Sequence, residues 1–161
     1  MVKPVLQAMV LADHVYQDRQ SGKHIIAGTF TQIQLRQPPK VTEEVQEDGE
    51  KRKRFSGPIG GMGSPYLYLA FTGLRNSQQF CLQLVDLSDA KVLMEYPFKL
   101  EFEDPVAIAE VSLGMPHLQL AMPRKSGSYS LDLIWSDEQI GSWRIEAVAD
   151  PVEHSGEKND S

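Results

Sequence analysis

The chain has 161 residues, 41% of them apolar and 24% charged, and a formal net charge of −6. That length suits one domain with a core large enough to need no covalent staples. The acidic balance repels phosphate, which counts against nucleic acid as a partner. Its single cysteine, Cys81, excludes an intrachain disulfide and fits a reducing compartment. No apolar run approaches the roughly 18 residues of a spanning helix. The N-terminal MVKPVLQAMVLADH has a short apolar stretch, broken by Gln7, where a secretory leader needs a longer one. The expectation is a cytoplasmic protein with no membrane partner.

In chain order, the apolar residues alternate or fall in short runs bounded by turn residues, which is the pattern of strands. Val5 to Tyr16 is predicted as the first strand, apolar on both faces. Gln17 to Lys23 is a turn in which Ser21-Gly22 tolerates positive φ, and His24 to Leu35 returns as one strand. Residues 36–65 are rich in charge, Gly and Pro, with little to bury. They are expected to form a long flexible loop, of the sort that is either functional or disordered. Strands are then predicted over Tyr66–Thr72, Gln79–Leu87 and Val92–Phe98, with a further piece at Leu100–Glu103. More follow at Val106–Leu113, Leu118–Met122, Tyr129–Trp135 and Ser142–Val148. Residues 150–161 read as a disordered polar tail.

About eight strands with turns between them, and no helical spacing, predict an antiparallel β-sandwich of the Ig, Fn3 or C2 kind over residues 1–149. The lack of a Cys…Trp…Cys pattern excludes an antibody-type domain. Phe30, Phe71, Phe80, Leu82, Leu131, Leu133, Trp135 and Trp143 are the expected core.

Few constellations could carry chemistry. His14 and His24 lie near the base of the first hairpin and could approach across it, but two histidines are an incomplete shell for a transition metal. Asp13 falls on the opposite face of the pleat from His14. His117 and His154 lie far along the chain. Asp18 and Ser21 have the character of turn-shaping residues. Three acidic turns hold Asp86 and Asp89, then Glu101, Glu103 and Asp104, then Asp137 and Glu138. Calcium takes six to eight oxygens, so these clusters are candidate ligands only if their loops share an end of the sandwich. None has EF-hand spacing.

Cys81 sits mid-strand between large apolar neighbours and reads as a buried structural thiol. There is no GxSxG elbow. The basic run Lys51–Arg54 follows acidic residues that cancel its field. GPIGGMGSP lacks the Lys-Ser/Thr of a phosphate loop.

Several stretches resemble an uncharacterised bacterial family of small β-rich domains of unknown function. They are the hairpin LADHVYQDRQSGKHIIAGTFTQI, the segment FTGLRNSQQFCLQLVDLSDAKVL and the closing SGSYSLDLIWSDEQIGSWRIEAV. The matching positions are Asp13, Gly22-Lys23 and Gly28-Thr29-Phe30, while Gly127, Tyr129, Leu131 and Leu133 carry a closing hairpin pattern that resembles that of many sandwich domains. The resemblance implies a sandwich fold and supplies no catalytic residues.

The expected function is a non-enzymatic protein-binding or scaffold domain, using a sheet edge or the 36–65 loop and needing no cofactor. The alternative is a calcium- or transition-metal-binding module. An enzyme ranks last, because no convergent set of titratable groups can be assembled. The oligomeric state is left open.

Overall fold

The computed structural model describes residues 2–35, 40–45, 51–56, 65–102, 106–115 and 118–151. Among them the strands are β1 (Val5–Gln17), β2 (His24–Thr29), β3 (Gln32–Leu35), β4 (Lys40–Val45), β5 (Lys51–Ser56) and β6 (Tyr66–Leu74). They continue with β7 (Gln78–Asp86), β8 (Lys91–Leu100), β9 (Val106–Gly114), β10 (Gly127–Trp135) and β11 (Glu138–Ala149). One short helix, α1 (Leu118–Ala121), precedes β10. A four-stranded sheet runs β2-β1-β6-β9 and a five-stranded sheet β3-β11-β10-β7-β8, while β4 and β5 pair only with each other. The fold is an all-β sandwich.

The two-residue rhythm builds the core. On β7, Gln78, Phe80, Leu82, Leu84 and Asp86 are buried, and the residues between them are more exposed. Leu67, Leu69 and Phe71 of β6 pack with that row and with Tyr129, Leu131 and Leu133 of β10. The Phe71 and Phe80 rings lie 5.0 Å apart. Six of the expected core residues are buried, whereas Phe30 and Trp143 sit at its margin, only partly covered. The Trp143 Nε1–H donates to the Phe30 carbonyl at 3.0 Å, so its polar tip is satisfied there.

Four expectations about the elements are corrected. The strand expected over His24–Leu35 is two strands, because the chain changes sheets after Gly28. Gly28 has φ 73°. A Cβ there would stand 2.7 Å from Asp13 Oδ2, so only glycine allows both the backbone angle and the close approach. Beyond that kink, β3 pairs in parallel with β11, the one parallel pair among the described strands of a sandwich expected to be antiparallel.

Residues 36–65, expected as structureless, contain the β4–β5 hairpin. Its register sets Glu43 opposite Lys53 and Glu44 opposite Arg52. A charge-rich stretch reads as loop because it carries no apolar alternation, yet its backbone can still pair as a ladder. Leu118–Met122 is a helical turn at its start rather than a strand, with Leu118 and Met122 both buried four residues apart. Of the two readings open for the piece after Phe98, extension of the strand or a kink at Pro97, the structure has extension: β8 runs unbroken through Pro97 to Leu100, which a proline allows at a sheet edge.

The first hairpin curls. Val5 to Ala12 of β1 pair with β6, whereas Ala12 to Gln17 pair with β2. In a flat sheet His24, opposite Gln17, would lie roughly 15 Å beyond the end of β6. Instead its ring is 5.5 Å from that of Tyr68. The hairpin therefore bends back over the face of β6 that points away from the core. That cover explains why Ala12, Tyr68 and Ala70 are buried on that outer face.

Candidate binding surface

The acidic candidates are turn residues. The Asp86 carboxylate accepts the Ser88 hydroxyl at 2.7 Å and the Ser88 amide at 2.9 Å. These bonds hold its carboxyl below the usual range, and Lys125 Nζ stands 3.8 Å away. Asp89 caps the Lys91 amide at 3.0 Å. Asp137 sits in the β10–β11 turn with φ 63°. Asp86 is in register with Tyr129 at the opposite end of β10, so about 25 Å of strand separates it from Asp137. Glu103 and Asp104 lie outside the described residues, as do His117 and His154. Among the described residues no group of three or more His, Cys, Asp or Glu could hold a metal ion.

The histidines part as well. His14 is opposite Ala27 and His24 opposite Gln17. Positions 14 and 17 are an odd number of residues apart, so the two rings project from opposite faces of the hairpin. The approach across the strands that the sequence allowed does not occur. His14 stacks on Tyr16 at 5.6 Å. At the tip, Asp18 accepts from Ser21 and Gln20, and the Ser21 hydroxyl does most to hold its carboxyl below the usual range. That is the turn-shaping role read from the sequence.

His24 points toward β6 and β9, and the cluster it joins was not legible in the sequence. Its Nδ1 is 3.2 Å from Glu110 Oε2. That nitrogen is buried and makes no well-aligned hydrogen bond. The Tyr68 hydroxyl donates to Glu110 Oε1. Burial and then the neighbouring carboxylate push the Tyr68 phenol up to about 12. The same hydroxyl, with His24 behind it, holds the Glu110 carboxyl below its usual range. These contacts tie the curled hairpin to the sheet.

The five-stranded sheet carries the opposite feature. Its edge strand β8 has residues in register with the buried row of β7: Met94 opposite Leu84, Tyr96 opposite Leu82, Phe98 opposite Phe80. The β7 members are at most 3% exposed, yet Tyr96 is 44% exposed. The facing sheet is one strand narrower, and β8 is left without a full cover. Stacked rings lead outward along this edge, from Phe80 to Phe98 at 5.3 Å and from Phe98 to Tyr96 at 6.5 Å.

Beside it, at the end of the sheet where β7 begins, lies an open groove of about 760 Å³. Ile134, Cys81 and Pro97 form a row across three strands on the face turned from the core. Phe98 and Trp135, on the core-facing parity, border it at the strand ends, and Lys99 and Asp137 supply charged groups. Cys81, expected to be buried, is half-exposed here because it falls on the outer parity of β7. Partial burial, helped by Glu95, pushes its thiol up and keeps it protonated.

Gln78 is the residue sequence reading missed. It is 3% exposed. Its Nε2 donates to the Arg75 carbonyl at 3.2 Å, and its Oε1 is buried with no donor. A sign of it was present in the sequence. Gln78 falls on the same parity as Phe80, Leu82 and Leu84, so it is a polar residue placed on a buried rhythm.

No protein-family profile matches the chain, and no curated protein does. Among solved structures, an immunoglobulin-like protein from Pseudomonas aeruginosa is similar at a TM-score of 0.41 and 6% identity, over 91% of this chain and 97% of that one. What the coordinates themselves establish is the architecture, an all-β sandwich of two packed sheets.

Proposed function

We propose that the chain is a non-enzymatic binding module that holds an extended polypeptide against the β8 row and its adjoining groove. The observation that carries this is the contrast in register: Leu82 fully buried, and Tyr96 opposite it 44% exposed. An apolar row left open beside a groove is a contact surface in waiting. Pro97 lacks an N–H and blunts the edge of β8, so recognition there runs through side chains in the groove rather than through an added strand.

The non-enzymatic reading draws on the chemistry of the groove's own side chains. Its thiol is held protonated, and Lys99 is paired with Glu101. The occupant's chemistry follows from charge. The chain carries −6, and Asp137 lines the groove while its Lys99 is paired with Glu101, so an apolar anchor flanked by Lys or Arg is complementary.

The test is selection of displayed random peptides against the folded chain. The expected result is an apolar anchor beside basic residues, with binding reduced at least about ten-fold by Ile134→Asp or Pro97→Glu and unchanged by Tyr16→Ser on the hairpin. Failure to enrich any sequence, or equal binding by the groove variants, overturns the proposal.

A further inference from the structure

We infer that the bound polypeptide adds as a β-strand to the free edge of β9, where it widens the narrower sheet and covers the open row of β8. The inference rests on the polypeptide-binding reading and supplies its backbone contacts. Among the described residues β9 pairs only with β6, in one constant register from Tyr66 opposite Gly114 to Leu74 opposite Val106. One step beyond, the Met115 amide donates to the Pro65 carbonyl at 2.7 Å. Antiparallel hydrogen bonds recur at every second pair, so Leu113, Val111 and Ala109 turn their N–H and C=O groups to β6. Those of Ile108, Glu110, Ser112 and Gly114 point the other way, where no described strand meets them. The stretch Val106–Gly114 has no proline, no lysine and no bulge against β6, three devices that commonly guard an edge. The edge of β8, by contrast, is blunted by Pro97.

The slot beside β9 lies along β8. On one flank of the sandwich β1 packs on β11, with Leu6 and Met9 against Gly141. The other flank therefore carries β9 and β8 together. Phe71 meets Phe80 at 5.0 Å, Ala109 is in register with Phe71, and Phe98 with Phe80. Ala109 thus stands level with Phe98 and, two residues on, Val111 with Tyr96. A strand laid on β9 turns every second side chain inward over that row, so those residues are apolar. The residue facing Glu110 turns outward. Glu110 is the single charged residue of β9 and is partly solvated. Its carboxyl is held below the usual range and so is ionised at neutral pH, which makes Lys or Arg its complementary neighbour. A second copy joined β9 to β9 fits poorly, because each overhanging β8 would take the space of the other. The occupant is a single extended segment, apolar at alternate positions, with Lys or Arg between them.

The probe is the capped peptide Lys-Val-Thr-Val-Lys-Val-Thr-Val-Lys, titrated to millimolar concentration into the isotope-labelled full chain and followed by NMR and amide exchange. The expected result is exchange slowed at least about ten-fold at the Ile108, Glu110 and Ser112 amides, with shifts at Tyr96. Replacing the central Lys of the peptide by Glu should weaken binding at least about three-fold. N-methylation of its Lys and Thr residues, whose amides face β9 in an antiparallel addition, should abolish binding. N-methylation of its Val residues, whose amides face away, should leave it within about two-fold. Ser112→Pro removes an outward N–H and no bond to β6, so it should fold and bind at least about five-fold more weakly. The methylated peptides keep the test sound if that variant does not fold. Unchanged exchange at the three amides, or equal binding by both methylated peptides, overturns the inference. So does a free chain that sediments as a dimer with those amides already protected. Displayed peptides that bind while shifting only Ile134 and Cys81 remove the added strand and leave the binding module standing. If neither displayed peptides nor the probe engage the chain, both fall.

Discussion

Tyr68 and Tyr96 both lie outside the region where the two sheets face each other squarely, yet they meet opposite fates. Tyr68 points away from the core on β6, and the curled β1–β2 hairpin closes over it until 7% of it is exposed. Tyr96 points inward on β8, and the facing sheet ends before reaching it, leaving it 44% exposed. A face that should have been wet is dry, and a face that should have been dry is wet. The difference is whether another part of the same chain supplies a cover. Where it does, the result is a second small core. Where none of the described residues does, the apolar row of β8 stays open to solvent.

Substitutions probe this contrast, taken in falling order of their cost to stability. Tyr68→Ala removes a covered ring and its hydroxyl together, and should cost about 3 kcal/mol in urea unfolding. A loss below about 1 kcal/mol would mean the hairpin does not close over β6. Gly28→Ala forces a side chain into a left-handed backbone against Asp13. It should cost about 2 kcal/mol and release the hairpin first, seen as faster amide exchange in β2 than in β10.

Glu110→Gln should cost about 1 kcal/mol at neutral pH, discounted because this carboxylate is partly solvated. Its pH dependence has a definite sign. The folded-state carboxyl is held below its usual range, so its contribution is present above the unfolded value and lost as pH falls through the folded one. The gap between wild type and Glu110→Gln should therefore close in acid.

Tyr68 titrates the other way. Its phenol is raised from 10.0 to about 12, so the stability it contributes is intact below pH 10 and lost as pH rises through about 12. Alkaline melts of wild type and Tyr68→Phe should converge there. The smallest effect belongs to Tyr96→Ser, expected within about 0.5 kcal/mol. A loss like that of Tyr68→Ala would show β8 to be covered after all and would remove the basis of the proposed surface.

Much of the sandwich was legible. Leu82, Leu84, Leu131 and Leu133 sit on a strict alternation, and each is fully buried. The hairpin joining β10 to β11 falls where Ser136 and Asp137 take positive φ. What was illegible shares one cause, which is that periodicity reports how a residue alternates and not what lies opposite. Leu118 to Met122 is too short to separate a strand from a helical turn. The charged β4 and β5 carry little apolar pattern, and their cross-strand matching of Glu43 with Lys53 emerges only once the register is known. Gly28 resembled any strand glycine until Asp13 was found against it. The candidate ligands Asp86 and Asp137 could be named from sequence but not separated, since which end of the sandwich a turn occupies depends on strand order. The groove was missed because its wall draws on β7, β8 and the end of β10, and no local stretch contains it.

By itself, then, the sequence determined the strand material: side chains that alternate every second residue can satisfy their backbone and bury one face only by pairing into sheets that pack together. Tertiary structure decided the rest. It moved the chain from one sheet to the other at Gly28, bent the first hairpin over Tyr68, and made one sheet a strand wider than its partner. Each of these depends on contacts between residues distant along the chain. Such contacts are set by the fit of whole sheets rather than by the character of any one segment, and they left Tyr96 and Phe98 at an uncovered edge.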